Sequence, residues 1–271
     1  MENLFLSPLE MSKAISDIGE KKAKETIFEL FVFGVLAGIY IAFGAVVATV
    51  VSSGGTLDPG LVKFLAGSVF SVGLMLVLIL GSELFTGNIL MTIGLIYQKY
   101  SFGRVLRNWL IVYLGNLLGS MLIVWLVYNS GLLVHLGKPT PIGTLAVEIT
   151  QAKLQLSFSE ALCRGILCNM LVCLAVIMCI ASRTMEGKIL GIYFPIMTFV
   201  ASGYEHSVAN MYFLPIGLML KGELLSKFST IFNNLIPVTI GNIIGGLLIV
   251  LLHPKVEERI ARLLVKRNNK H

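Results

Sequence analysis

An all-α polytopic membrane protein, built from two inverted halves of three helices each, is the fold class the sequence predicts. Three observations carry that prediction. Of the 271 residues, 56% are hydrophobic and only 13% are charged, where a soluble domain carries about 25% charged residues. Apolar runs recur along the chain, each of roughly 20 residues, enough at about 1.5 Å per residue to cross a hydrocarbon core of roughly 30 Å. Two of those runs are interrupted by matching polar stretches, Gly81-Ser82-Glu83-Leu84-Phe85-Thr86-Gly87-Asn88 and Gly203-Tyr204-Glu205-His206-Ser207-Val208-Ala209-Asn210.

The first 27 residues are polar and lack the apolar core of a cleavable signal. Ser7–Glu25 reads as an amphipathic surface helix, apolar at Leu9, Met11, Ala14, Ile15 and Ile18. Its Lys13, Lys21, Lys22 and Lys24 suit an acidic leaflet, or solvent equally well. Phe28–Val51 is the first span, with Glu29 its one charge, and Gly54-Gly55 and Asp58-Pro59-Gly60 mark the turn after it. Leu61–Leu80 is the second span, broken at Gly81–Asn88 and resumed over Ile89–Tyr97. Trp109–Tyr128 is the third, with an interface aromatic at each end. Asn129–Leu156 is expected to be the longest loop, and Phe158–Ala181 is the fourth span. The fifth comprises Ile189–Val200, the second break, and Met211–Leu220; Lys221–Phe232 links it to the sixth, Leu235–Leu252. The expected organisation is an N-terminal helix (1–27), a six-span domain (28–252) and a basic tail (253–271).

Fifteen lysines and arginines fall in the N-terminus, the C-terminus and the loops after spans two and four, against five in the other three connections. Positive charge stays inside, so both termini are expected in the cytoplasm. The net charge of +6 gathers at loop ends without interleaved aromatics, which argues against a nucleic-acid partner. Cys163, Cys168, Cys173 and Cys179 share one apolar run with no CxxC spacing and read as small membrane-embedded hydrophobes. No metal or cofactor site is called for.

The halves repeat. Glu29 with Gly34-Val35-Leu36 matches Glu160 with Gly165-Ile166-Leu167 at an offset of 131, and Gly81 matches Gly203 at 122. Asn108, Gly115-Asn116 and Gly119 match Asn234, Gly241-Asn242 and Gly245 at 126. With three spans in each half, the second half must be inverted, which brings both breaks to the midplane, where such chains place a substrate pathway. Gly115, Gly119, Gly241, Gly245 and Gly246 allow close helix contacts.

Within that frame His206 is the one histidine inside a span. Imidazole can donate and accept hydrogen bonds and change charge near neutrality, although a histidine satisfied by a neighbouring carbonyl is the plainer reading. Thr86, at the matching break, could bond His206 or a permeant ion, or cap the half-helix that follows. Glu83 and Glu205 are expected to take the backbone donors that the breaks expose. Two half-helix N-termini aimed at the centre would favour an anion. Lys153 either draws an anion into a vestibule or is a solvated loop lysine. Arg164, inside span four, is expected to pair with a neighbouring helix or carbonyl. Phe70 and Phe199 either gate a dry passage or simply pack. An intramembrane hydrolase would need a base facing Ser207, and adjacent residues such as His206 and Ser207 do not face each other on a helix, so no enzymatic role is expected.

Four motifs together carry a resemblance: Phe70-Ser71-Val72-Gly73-Leu74, Glu83-Leu84-Phe85-Thr86, Cys168-Asn169-Met170-Leu171-Val172-Cys173-Leu174-Ala175, and Ser202-Gly203-Tyr204-Glu205-His206-Ser207-Val208-Ala209-Asn210-Met211. The chain resembles the formate/nitrite transporter family over essentially its whole length, and most of all the hydrosulfide-channel branch. The resemblance implies an aquaporin-like protomer in a homopentamer of the prokaryotic plasma (inner) membrane, with one pore per protomer. It implies an outer constriction of Phe70 and Phe199, with Leu74, Leu84 and Val172 narrowing the path inward. His206 and Thr86 would be the central polar pair, with Asn169 and Asn210 nearby and Lys153 in the vestibule. The expected function is passage of small monovalent anions, hydrosulfide first, formate and nitrite as well; the alternative is a proton-coupled formate or nitrite transporter of the same family. An Asn-Pro-Ala pair, the mark of a water channel, is absent.

Overall fold

Helix starts are written into the sequence. The computed structural model describes residues 4–253 and Val256, so the basic tail expected over 253–271 lies almost wholly outside the described residues. Helix α1 (Pro8–Lys24) begins at a capping box, Ser7 with Glu10, and has proline at its first position. Helix α2 (Ile27–Ser52) begins at Thr26 with Glu29 in the same arrangement. Asp58 caps α3 (Pro59–Leu80). Gly81 ends α3 in the left-handed region at φ 82°, where a side chain would be strained. After the break come α4 (Phe85–Asn88), a 3₁₀ turn over Ile89–Met91 and α5 (Thr92–Ile96). Helix α6 (Phe102–Asn129) completes the first half.

A two-stranded ribbon, β1 (Val134–His135) with β2 (Lys138–Pro139), leads into α7 (Pro141–Leu154). The stretch expected as a loop is therefore half helix: Thr140 caps it and Pro141 starts it, and its mixed composition hid the pattern. Helix α8 (Phe158–Ala181) opens on the third capping box, Ser157 with Glu160. Then follow α9 (Met185–Ala201), a turn at Gly203 (φ 71°), α10 (Ser207–Leu220) and α11 (Thr230–Leu251). Among the described residues, α2, α3, α6, α8 and α11 are long and apolar enough to cross a membrane; α9 and α10 are the two shorter halves of the second broken helix.

Helix α2 packs along α6, and α8 along α11. A Cβ on Gly38 would strike the Asn116 carbonyl and one on Gly119 the Val35 carbonyl; Gly241 and Gly245 stand equally close to Leu162 and Ile166. In a bilayer such backbone approaches replace the hydrophobic drive between helices. Helices α1 and α7 lie at opposite ends of the bundle. Lys63, near the start of α3, shares a cavity with α7, and Leu78, near its end, shares one with α1. Arg164 departs from expectation: its carbonyl accepts the Glu205 amide at 3.3 Å, yet its guanidinium meets no hydrogen-bond or ion-pair partner among the described residues. Glu160, one turn earlier, is the acidic group that feels its charge.

Candidate functional site

The breaks are held open by asparagines from neighbouring helices. Asn116 Oδ1 accepts the Phe85 amide at 3.0 Å, while its Nδ2 donates to the carbonyls of Gly34 and Glu83 at 2.8 and 2.9 Å. Asn242 repeats this in the second half, accepting the Ser207 amide at 2.9 Å and donating to Gly165 and Glu205 at 2.8 and 3.0 Å. Backbone groups freed by a helix break at membrane depth must find such partners.

This corrects the expectation for the glutamates, whose carboxylates bind lysines instead of backbone donors. Glu205, 3% exposed, accepts Lys153 Nζ at 2.8 Å and Asn210 Nδ2 at 2.6 Å; Asn210 also donates to Asn234 at 2.7 Å. Glu83, 4% exposed, accepts Lys22 Nζ at 2.7 Å and Asn88 Nδ2 at 2.6 Å, and Asn88 donates to Asn108 at 2.8 Å. Every member is matched: Lys22 with Lys153 at the offset of 131, Glu83 with Glu205 and Asn88 with Asn210 at 122, Asn108 with Asn234 at 126. The repeat thus extends back through α1 and α7. The copies differ in two ways: Asn108 Nδ2 donates to Glu83 Oε2 at 3.5 Å where Asn234 Nδ2 donates to the Lys153 carbonyl at 2.9 Å, and the lysines differ in their further contacts. Lys22 also donates to Asn88 Oδ1 at 2.7 Å, whereas Asn210 Oδ1 is buried without a partner and Lys153 lies 5.2 Å over the Phe213 ring.

Between the networks lies an apolar neck. A cavity of about 10 Å³ is lined by Ile41, Phe70, Leu74, Leu84, Val172, Ile196, Phe199 and His206, room for about one water. All five constriction residues named from the sequence meet here with His206; Ile41 and Ile196 were missed, because isoleucine in an apolar helix carries no signal of its own. The Phe70 and Phe199 rings stand edge to face at 5.7 Å, and Phe199 stacks on His206 at 5.9 Å. On the α7 side the neck opens into a cavity of about 420 Å³ that includes Lys63, Lys153, Glu205, His206 and Asn210. On the α1 side a cavity of equal volume includes Lys21, Lys22, Glu25, Glu83 and Lys188. A smaller cavity of about 40 Å³ beside it lies between Ile15, Ile18 and Gly19 of α1 and Leu84 and Asn88 of the first break.

His206 is the residue before α10, and its Nδ1 accepts the Ala209 amide at 3.1 Å. Its Nε2 lies 2.8 Å from Thr86 Oγ1. Since Nδ1 must be bare to accept, the neutral ring carries its proton on Nε2 and donates to Thr86. Thr86 itself caps no helix: Leu84 occupies the cap position of α4. Asn169 lines none of these cavities; its Nδ2 donates to the Thr86 carbonyl at 3.2 Å and the Asn242 carbonyl at 2.6 Å, tying the two breaks together. Among the described residues no cluster of three or more His, Cys, Asp or Glu is arranged for a metal.

An apolar neck with one imidazole, opening into a vestibule on the α7 side, suits the passage of a small solute, and comparison with known proteins points the same way. The chain is 44% identical over 267 residues to a probable formate transporter of Methanothermobacter thermautotrophicus, covering 92% of this chain and 96% of that protein. It is 36% identical over 264 residues to the formate channel FocA of Escherichia coli K12, covering 91% and 92%. Among solved structures it is similar to a pentameric formate channel with formate bound (34% identity, TM-score 0.71, 83% of this chain and 94% of that one). It is likewise similar to an FNT family ion channel (29% identity, TM-score 0.80, 90% and 96%). These neighbours are channels and transporters with an aquaporin-like protomer, not enzymes. Residues 9–255 match the family described as Formate/nitrite transporter, and the chain belongs to that family.

Proposed function

We propose that this protein is a channel for small monovalent anions, with formate first among them and nitrite and hydrosulfide able to follow. The observation that carries the reading is the neck itself, where Phe70, Phe199, Leu74, Leu84 and Val172 enclose a space of one small molecule against His206. Formate takes the leading place because the relatives and a structural neighbour carry it in their names; hydrosulfide, favoured by the sequence motifs, is the finer alternative. Six crossings, counting α9 and α10 as one, and a homopentamer with one pore per protomer complete the picture, supported by the pentameric neighbour. The excess of basic residues on the α1 side supports both termini in the cytoplasm and α7 outside, and the relatives from Methanothermobacter thermautotrophicus and Escherichia coli support a prokaryotic plasma membrane.

An anion entering from the α7 side meets the Lys153 ammonium, which has a donor to spare beyond Glu205. A bare charge in the neck is costly. The imidazole does not supply the neutralising proton. An imidazolium would need a proton on Nδ1, against the Ala209 N–H that Nδ1 accepts. His206 therefore acts as a hydrogen-bond donor from Nε2, and the proton that neutralises the anion comes from the water of the vestibule and leaves with it.

Flux of formate, nitrite and hydrosulfide into liposomes at several pH values tests this. Flux that rises as pH falls is expected, and His206→Asn should lower it while keeping the slope against pH. Because the proton travels with the anion, electroneutral uptake of one proton per anion is expected; a current carried by the bare anion would overturn that step, and absence of all three fluxes would overturn the channel.

A further inference from the structure

The lysines nearest the neck are neutralised. Lys153 and Glu205 form an ion pair at 2.8 Å, and Lys22 and Glu83 one at 2.7 Å. Each pair is a dipole whose field falls off within a short distance, so neither gives its vestibule a net charge. That charge has to come from elsewhere on the walls.

On the α7 side one further cation lines the vestibule: Lys63, in the second turn of α3 and exposed to the cavity. It forms no ion pair or hydrogen bond among the described residues. Apart from Glu205, the acidic groups near this mouth do not line the vestibule. Asp58 uses Oδ1 on the amides of Gly60 and Leu61, and Glu148 lines a separate recess with Ser52 and Val62. Lys221 and Lys227, beyond the vestibule, are both paired with Glu223. The vestibule walls thus hold Lys63, Lys153 and Glu205, a net charge of one positive unit that resides on Lys63.

The opposite mouth has the same plan. Lys188, in the first turn of α9, lines the α1-side vestibule, and its ammonium forms no ion pair or hydrogen bond among the described residues. Helices α3 and α9 are the first halves of the two broken helices, so each mouth carries one uncompensated lysine at the start of the same structural element. At the α1 mouth Lys21 adds another cation, unpaired among the described residues, and Glu25 a carboxylate, which dilutes the effect of Lys188.

We propose that Lys63 and Lys188 are the recruiting charges of the two mouths, which set how readily a monovalent anion enters, while Lys153 and Lys22 act only at contact. The inference rests on the channel reading above. It is a positioning role: neither lysine lines the neck, so each changes capture and not passage.

The test is formate flux into vesicles of known orientation, at low and at high ionic strength. For entry from the α7 side, Lys63→Gln should raise KM about twofold and Lys63→Glu about fourfold at low salt, as expected for one and two unit charges about 10 Å away across water. Maximal flux should stay as in the unsubstituted protein, Lys63→Arg should keep its KM, and the differences should vanish near 1 M salt. Entry from the α1 side should be insensitive to Lys63 and respond, more weakly, to Lys188→Gln. An unchanged KM in Lys63→Glu at low salt, or a loss of maximal flux with KM constant, would overturn the proposal. Absence of flux in the unsubstituted protein would overturn the channel reading and this inference with it.

Discussion

The Tyr113 hydroxyl lies 3.0 Å from the Thr239 hydroxyl, and the two residues are each other's counterparts in the two halves, 126 positions apart. A residue that touches its own repeat mate marks the axis relating the halves, so the pseudo-twofold passes between α6 and α11 at this bond. Phe85, the first residue after one break, packs edge to face on Tyr113 at 4.9 Å. The axis is therefore tied to the break by one aromatic contact.

Thr239→Val should leave the Tyr113 hydroxyl without this partner and cost about 1 kcal/mol of stability. Formate flux should not change, because neither residue lines the neck. Thermal unfolding in detergent beside a liposome assay checks both halves of that statement.

Most of this architecture was legible. Spans and breaks follow from hydropathy and from Gly81 and Gly203, each a local feature. The site was legible by position more than by role. Glu83 and Glu205 were found, but their partners Lys22 and Lys153 come from helices distant in sequence, and which donor a carboxylate meets is a tertiary fact. Asn116 and Asn242 were seen only as repeat markers. The signal that they are clamps lay in the repeat: a polar side chain kept in both halves, deep in apolar spans, needs a partner there. Asn169 is expected beside the central pair from the family motif; its Nδ2 bonds the Thr86 and Asn242 carbonyls, contacts that no sequence motif announces.

Asn242→Leu should be among the most damaging substitutions of similar volume. It strands the buried Ser207 amide and the Glu205 carbonyl, at roughly 1–3 kcal/mol for each group left unsatisfied. Asn116→Leu should do the same to the first break. Lowered yield of folded protein and a lower Tm, equal within error for the two variants, is the expected outcome; a well-folded Asn242→Leu would refute the clamp.

Lys153→Met leaves the Glu205 carboxylate buried at 3% exposure without its cation, and breaking such a pair costs about 3–5 kcal/mol. The double variant Lys153→Met with Glu205→Gln should recover most of the stability, since Asn210 can still bond the amide. Flux separates structure from function. If Lys153 contacts the anion, the double variant folds but conducts poorly; wild-type flux in it would assign the lysine a structural role alone.

Helix α1 is fastened by a surface clasp as well as by Lys22. Lys99 reaches Glu20 at 3.1 Å and Asp17 at 3.4 Å. The Lys24 and Lys99 ammoniums hold the Glu20 carboxyl below its usual value of 4.5, and Glu20 holds the Lys99 ammonium above its usual 10.5. The sign follows from linkage. The carboxylate contribution is present above pH 4.5 and is lost as pH falls through the lowered native value; the lysine contribution is present below 10.5 and lost only above it. Proteolysis at Lys13 and Lys21 should therefore be slow and constant between about pH 5 and 9, and increase in stronger acid. Because the groups are exposed, 1 M salt and Lys99→Gln should each raise cleavage at neutral pH modestly. Lys22→Gln should raise it more, since it removes the buried anchor on Glu83. Equal cleavage of Lys22→Gln and Lys99→Gln would show that the surface clasp, and not the buried pair, holds the helix down.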